Sequence, residues 1–453
     1  MFDVAVAGGG VVGCAVARRF TLQGARTVLL EKGADILSGA SKGNSAILHT
    51  GFDAPPGSLE LRCMQAGYQE YLQIRTRLGL PLLESGAIVA AWAKAQAEKL
   101  PGIVAAAHEN GVADARLITP EEILAREPHL APNLLGGVLV PGEYLIDPWS
   151  APLAYLLQAL ENGAEVRRNT EVLAGHFHGT WHLETSTGAL QARTVINCAG
   201  LYGDVVDERL TGTRHFTIKP RKGQFVVFDK AAAKLLRTIL LPVPEAHTKG
   251  IVLTPTIFGN LLVGPTAEEQ ESRGRAATDE ETLHILRAKA EAMLPALRTM
   301  PVTAIYAGIR PATEDKAYRV RHEPERNYIT LGGIRSTGLT AALGLAQHAW
   351  ALYGGAHQEV AAPLWPQAPR LAEHCQRDWQ QPGYGEIICH CELVTRREIE
   401  AALAGPLPAQ DWGGLKRRTR AGMGRCQGFY CNAALAALTT GKITPPLAES
   451  PHD

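Results

Sequence analysis

The opening residues, FDVAVAGGGVVGCAVARRFTLQGARTVLLEK (2–32), set three spaced glycines between an alternating apolar run and an apolar helix face. Few folds can use that order. Val4, Val6 and their small neighbours read as a buried strand, Ala15, Val16 and Phe20 as the inner face of a helix, and TVLLE as a second strand ending at Glu31. The turn is Gly8-x-Gly10-x-x-Gly13. In a βαβ unit the first glycine allows the sharp turn, the second lets backbone approach a pyrophosphate, and the third lets the helix pack on the strand. The helix then aims unsatisfied N–H groups and a partial positive charge at the phosphates. Glu31 falls where a carboxylate can accept the ribose hydroxyls. The spacing predicts a dinucleotide site; a glycine turn without a ligand is the alternative.

Later segments extend this unit. SGASKGNSAILHTGFDAPPGSLE (38–60) is rich in Ser, Gly and Asn, and such a loop can wrap a cofactor with backbone and hydroxyl donors before feeding a helix. ALQARTVINCAGLYGDVV (189–206) reads as a strand ending in the small residues Ala199 and Gly200, then a helix. NYITLGGIRSTGLTAALGLAQHAWAL (327–352) reads as a strand, the pair Gly332-Gly333, and a long helix from about Leu339. Between them, ESGAIVAAW, GGVLVPG, KGQFVVFDK, KGIVLTPTIFGNLLVGPT and VTAIYAGIRP alternate as strands, bounded by turn residues such as Pro255 and Gly259-Asn260. They predict a second, mostly antiparallel sheet, flanked by helices near 59–79, 93–111, 120–127, 148–162 and 279–294.

Length and charge narrow the class. At 453 residues, two or three domains are expected. A formal net charge of zero gives no global field for nucleic acid. No basic n-region precedes the first strand, and no run approaches the roughly 20 apolar residues of a membrane span. Of eight cysteines, Cys14, Cys63, Cys198 and Cys375 are scattered, whereas Cys389, Cys391, Cys426 and Cys431 cluster late. That is no secreted disulfide framework, so a cytoplasmic location is expected.

The pieces AGGGVVGCAVA, KGNSAILHTG, TVINCAG, AGIRP and GGIRSTGLTAA together resemble the FAD-dependent oxidoreductases of the D-amino-acid oxidase superfamily, in particular their glycerol-3-phosphate dehydrogenase and L-2-hydroxyglutarate oxidase branches. The resemblance covers residues 1 to about 355. It implies an α/β (α+β overall) architecture: a discontinuous Rossmann-like FAD domain (about 1–80, 145–210 and 305–355) with a substrate domain (about 81–144 and 211–304). It implies FAD contacts from Gly8, Gly10, Gly13, Glu31, Lys32, Ser41, Lys42, Asn44, Ser45, Ala199, Gly200, Gly333, Gly338, Leu339 and Thr340. The helix after Gly338 would set its N-terminus near the pyrimidine end of the flavin.

Alcohol oxidation by hydride transfer also needs a base for the O–H proton. His49 is the candidate, because imidazole titrates near neutrality and its segment should pass the flavin; a histidine that only bonds the loop is the alternative. Arg310 ends an apolar strand, where a guanidinium needs a partner. A substrate carboxylate or phosphate would serve as an anion clamp's ligand, and an internal salt bridge to Glu314 or Asp315 is the alternative. Arg335 is expected on substrate or flavin, and Lys222 as a solvated edge-strand charge.

Residues 356–384, rich in Pro, Gln and polar residues, read as a linker to a further domain at 385–453. There Cys389-x-Cys391 and the pair Cys426 and Cys431 offer four thiolates in two close pairs, which points to a metal centre. Zinc is one occupant. The spacing, with RTRAGMGRCQGFYC, resembles the bacterioferritin-associated-ferredoxin-like [2Fe–2S] domain appended to the large subunits of anaerobic glycerol-3-phosphate dehydrogenases and to amine or opine dehydrogenases. Lys416, Arg417, Arg418, Arg420 and Arg425 then stabilise the cluster, dock a redox partner, or form a solvated face.

The reading expected from these parts is a dehydrogenase for a small anionic hydroxy substrate, glycerol 3-phosphate or a 2-hydroxy acid. Its electrons would leave through the cluster to a redox partner protein or second flavoprotein subunit, with peripheral membrane association left open. An amine, opine or hydroxyproline dehydrogenase, or an electron-transfer subunit without its own substrate, are the competing readings.

Overall fold

The computed structural model describes residues 1–244 and 250–447. Lys249, which heads one expected strand segment, and 448–453, the end of the expected C-terminal domain, lie outside the described residues.

The first unit forms as its pattern demands: β1 (Phe2–Ala7), α1 (Val11–Leu22) and β2 (Thr27–Leu30). The strands β1 and β2 pair in parallel, and α1 buries Val11, Cys14, Ala15, Val16 and Phe20. After a loop come the short β3 (Ile47–Leu48) and α2 (Leu59–Leu78), which Ser58 caps at its N-terminus and Gly79 closes in the left-handed region. Next in chain order are β4 (Gly188–Asn197), β5 (Lys219–Phe228), β6 (Val302–Ala312), β7 (Tyr328–Gly332), α3 (Gly338–Tyr353) and α4 (Trp412–Thr419).

Two large sheets organise the chain. In the eight-stranded one, β4 pairs in parallel with β1 on one edge and with β7 on the other, while its first half pairs antiparallel with Trp181–Thr185. The apolar core beneath it is closed by α1, α3 and the helix Ser150–Glu161, with Phe20 edge-on to Trp350 at 5.0 Å. The nine-stranded sheet is antiparallel except where Ile239–Pro242 runs alongside Ala87–Ala91, and it has its own core. Here β5 is flanked by β6 on one edge and by Leu261–Gly264 and Glu268–Glu269 on the other. The strand carrying Arg310 therefore stays in this second sheet, and the chain rejoins the first sheet only at Arg319–Glu323 and β7. A three-stranded sheet of β3, Tyr144–Ile146 and Leu82–Leu83 lies between them in the chain's path.

Residues 356–384 hold no long element. They are tied down by backbone bonds from Val360 to Leu22, Ala368 to Leu78 and Glu373 to Ile257. The C-terminal part has a separate core of Ile388, Val394, Ile399, Leu415 and Leu435, with Cys389 and Cys431 inside it.

Candidate functional site

The glycine turn is built by contact as well as by torsion. Gly8 has φ +110°, and a Cβ there would lie 2.6 Å from the Cys198 carbonyl oxygen; one on Gly13 would lie 1.9 Å from the Gly8 oxygen. Ala199 borders the same turn, and its N–H is held by Asn197 Oδ1 at 3.0 Å. Gly200 follows with φ +53° and open space around it. The N-cap Gly10 has no side-chain cap, and the Val11 N–H donates to Ser41 Oγ at 3.0 Å. No acidic residue occupies the first turn of α1. This is a helix end suited to a pyrophosphate, with a serine hydroxyl beside it.

Glu31 accepts from the N–H of Gly9 at 2.6 Å and of Gly33 at 2.7 Å. Burial pushes its carboxyl above the ordinary range, and those two amides oppose the shift. Each carboxylate oxygen keeps further acceptor capacity, so ribose hydroxyls fit as the next partners. Lys32 instead turns its ammonium onto the Tyr202 ring, 3.0 Å from the centroid.

The loop that follows is fixed from within, from the second sheet and from the start of the helix Ser150–Glu161. Asn44 Oδ1 accepts from Ala46 N at 2.8 Å, Tyr306 on β6 donates to the Asn44 carbonyl at 3.1 Å, and Trp149 Nε1 donates to the Lys42 carbonyl at 3.1 Å. The Lys42 side chain is exposed, and Ser45 is half-buried. Gly43 crosses β6 at Gly308, so close that a Cβ on Gly43 would meet the Gly308 Cα at 3.1 Å. The cofactor loop thus passes two residues from Arg310.

The loop ends at α3. Gly333 turns the chain with φ +66°, Gly338 and the half-buried Leu339 open the helix, and Thr337 provides no side-chain cap. Thr340 Oγ1 accepts the N–H of His49 at 3.0 Å and faces the Ile47 carbonyl at 3.3 Å. His49 is therefore held at the positive end of α3. Its Nδ1 lies 2.7 Å from Glu143 Oε2, and Glu143 Oε1 accepts from the N–H and hydroxyl of Thr50 at 2.6 and 2.7 Å. The Glu143 side chain is fully buried, whereas that of His49 is 25% exposed. Sequence reading missed Glu143, because only the pairing of Leu48 with Tyr144 brings it beside His49. Its one signal was a carboxylate in the turn PGEY, ahead of the apolar LI.

Arg310 is held in an unusual way. Its guanidinium donates to the carbonyls of Thr266 at 2.5 Å and Lys222 at 3.3 Å, while its buried Nε has no partner. The salt bridge to Glu314 or Asp315 does not form, because Arg319 takes both, at 3.0 and 2.6 Å. Burial lowers the Arg310 pKa to about 10, helped by the charges of Arg221, directly opposite on β5, and of Arg335. Arg335 contacts Glu60 at 3.5 Å in the approach to α3. Lys222 is no solvated edge charge: β5 is an interior strand, and its ammonium pairs with Glu268 at 2.9 Å and Asp279 at 3.5 Å.

Near the C-terminus, the four late thiols meet as two cross-pairs, Cys389 with Cys431 and Cys391 with Cys426. Cys426 is held below the ordinary thiol range by the Tyr430 N–H first, aided by Cys391 and the N–H groups of Gly428 and Phe429. Burial, then Cys389, pushes Cys431 up to about 12. Among the described residues no three His, Cys, Asp or Glu side chains close around a single ion. Two thiol pairs with amide donors aimed at one of them suit a two-iron centre, which takes two thiolates per iron. All eight cysteines are free.

Arg417, Arg418 and Arg420 of the basic run face the protein's own body rather than solvent, whereas Arg425 is exposed. Arg418 bonds Asp35 at 2.7 and 2.8 Å, Arg417 the Ile36 carbonyl at 2.9 Å, and Arg425 pairs with Asp229 at 2.7 Å. Arg420 pairs with Glu392 at 2.8 Å and lies over the Phe258 ring at 4.1 Å. Lys416 is largely buried beside Trp412.

Comparison with known proteins agrees with this geometry. Residues 3–352 match the FAD dependent oxidoreductase family, and residues 387–439 match the BFD-like [2Fe-2S] binding domain. A glycerol 3-phosphate dehydrogenase of Caloramator mitchellensis is 28% identical over 100% of this chain and 97% of its own length. A glycerol 3-phosphate oxidase of Mycoplasma pneumoniae is 30% identical, covering 77% of this chain and 93% of its own. Among solved structures, the dithionite-reduced L-alpha-glycerophosphate oxidase of Mycoplasma pneumoniae, with FAD bound, superposes with a TM-score of 0.75. It is 26% identical and covers 80% of this chain and 97% of that one. FAD and a [2Fe–2S] cluster are the cofactors that the turn and the thiols fit. The protein thus belongs to the FAD dependent oxidoreductase family and carries a BFD-like [2Fe-2S] binding domain behind its flavin part.

Proposed function

We propose that the protein is a dehydrogenase that oxidises the secondary hydroxyl of glycerol 3-phosphate and passes the electrons through its cluster to a separate acceptor. The observation that carries this reading is Arg310. Its half-buried guanidinium bonds carbonyls rather than a carboxylate, with Glu268 and Glu269 acting on it only through space, which leaves room for a direct anionic partner. A substrate phosphate supplies one, with two oxygens for the planar fork. Arg221 and Arg335, paired with Glu269 and Glu60, still add positive potential at it.

His49 is the base in this reading. With Glu143 accepting from Nδ1–H, Nε2 is the nitrogen that takes the hydroxyl proton. Glu143 also stabilises the imidazolium that results, as a buried carboxylate does behind a catalytic histidine. FAD supplies the two-electron hydride acceptor and [2Fe–2S] the one-electron carrier.

Glycerol 3-phosphate is favoured over a 2-hydroxy acid by reach. The Caloramator relative aligns through the cluster domain, whereas an L-2-hydroxyglutarate dehydrogenase of Escherichia coli covers 63% of this chain. One component of the anaerobic glycerol-3-phosphate dehydrogenase of Escherichia coli, named as one of that enzyme's subunits, covers 96% of the chain. That name supports an acceptor carried on another polypeptide. Among the described residues no helix is long and apolar enough to cross a membrane. A reducing cytoplasm suits the eight free thiols.

The test is anaerobic flavin bleaching by glycerol 3-phosphate, L-2-hydroxyglutarate, proline and an opine, followed by the cluster's EPR signal. Glycerol 3-phosphate should bleach the flavin and develop the signal. Faster bleaching by any of the others would overturn the substrate assignment.

A further inference from the structure

We propose that the cluster domain is a latch on the FAD site, so that FAD binding and docking of the C-terminal domain reinforce each other. The latch is Asp35. Its side chain is fully buried, four residues beyond the ribose-facing Glu31, and accepts two bonds from Arg418 on α4, which is itself 5% exposed. The Gln410 N–H adds a third bond from the same domain at 3.3 Å. Arg168, 3.6 Å from Asp35, also donates to the Pro408 carbonyl at 2.5 Å. The approach needs Gly414, because a Cβ there would lie 1.8 Å from Asp35 Oδ2.

The loop so held is the one that backs the glycine turn. Leu37 donates its N–H to the Gly9 carbonyl at 2.9 Å, and Gly9 donates its own to Glu31 at 2.6 Å. Arg417 binds the Ile36 carbonyl between Asp35 and Leu37. A bonded chain therefore runs from α4 through residues 35–37 into the turn and the carboxylate that face the dinucleotide. Arg418 and Asp35 are positioning residues: they act through the loop 35–37 that backs the glycine turn. Because coupling between two binding events is reciprocal, FAD must tighten α4 as much as α4 tightens FAD.

The test uses the full-length holoprotein in variants Arg418→Gln, Asp35→Asn and the double variant, with Arg425→Ala as control. Arg425 ties the same domain to Asp229, the residue after β5, away from the dinucleotide loop. FAD affinity is read by fluorescence on reconstitution, and retention of the cluster by its visible spectrum. The expected result is weakening of FAD binding by at least about fivefold in each single variant. The double variant should be no weaker than the singles, because they break the same contact. Arg425→Ala should leave FAD affinity within about twofold. Unchanged FAD affinity in Arg418→Gln with its cluster retained would overturn the latch, as would equal weakening by Arg425→Ala. Hydrogen exchange on the unsubstituted protein gives a second measurement. Removing FAD should speed exchange in 412–419, and equal rates with and without FAD would also overturn it.

Discussion

Two arginines, one buried and one half-buried, divide this molecule. Arg418, at the interface between the cluster domain and the cofactor loop, meets a buried carboxylate through two short bonds. Arg310, in the second sheet, meets two carbonyls and no carboxylate, and its pKa is pushed down to about 10 by burial and two neighbouring cations. The first region is electrostatically complete as it stands. In the proposed function the second is completed by the anionic group of the substrate. The same residue type is a fastener in one region and, in the proposed function, a receptor in the other, and the difference lies in what the fold puts opposite it.

The largest expected effect belongs to the receptor side. His49→Ala should slow substrate-driven flavin reduction by about 10²–10⁴-fold while leaving the flavin and cluster spectra intact. Stopped-flow bleaching measures it, and a near-normal rate would remove His49 from the base role. The interface side should respond through stability. Arg418→Met removes the two shortest side-chain bonds to Asp35, leaving Arg168 at 3.6 Å and the Gln410 N–H as its partners, and should cost about 1–3 kcal/mol of unfolding free energy.

Arg310→Met makes the opposite prediction. It removes a desolvated cation held by carbonyls, with Glu268 and Glu269 acting only through space, so stability should change by on the order of 1 kcal/mol or less. The Michaelis constant for an anionic substrate should nevertheless rise by about 10²-fold. If thermal melts showed Arg310→Met to be as destabilising as Arg418→Met, the contrast between the two regions would be wrong. The smallest effect is expected from Arg425→Ala. This guanidinium is 68% exposed, so the loss should be about 0–1 kcal/mol.

Much of this was legible in the linear chain because the signals were local. The Gly8–Gly13 turn, its strand and its helix depend on neighbours a few residues apart, and sterics at Gly8 and Gly13 leave little choice of partner. The two cysteine pairs are also short-range, so their chemistry showed before their meeting did. Alternation in the middle of the chain fixed a mostly antiparallel sheet, since side-chain period and strand pairing are linked.

What stayed illegible were the relations between distant segments. Glu143 meets His49 across a separation of 94 residues, through a two-residue strand whose pairing no local pattern specifies. Asp35 meets Arg418 across 383 residues, and the basic run there was ambiguous until the domains packed. Lys222 looked like a surface charge until β6 covered its strand. The amino-acid sequence by itself determined which cofactors this protein is built for. Tertiary structure decided which charges are paired and which still call for a ligand, because a charge's partner is set by whatever desolvates it, and desolvation is a property of the packed whole.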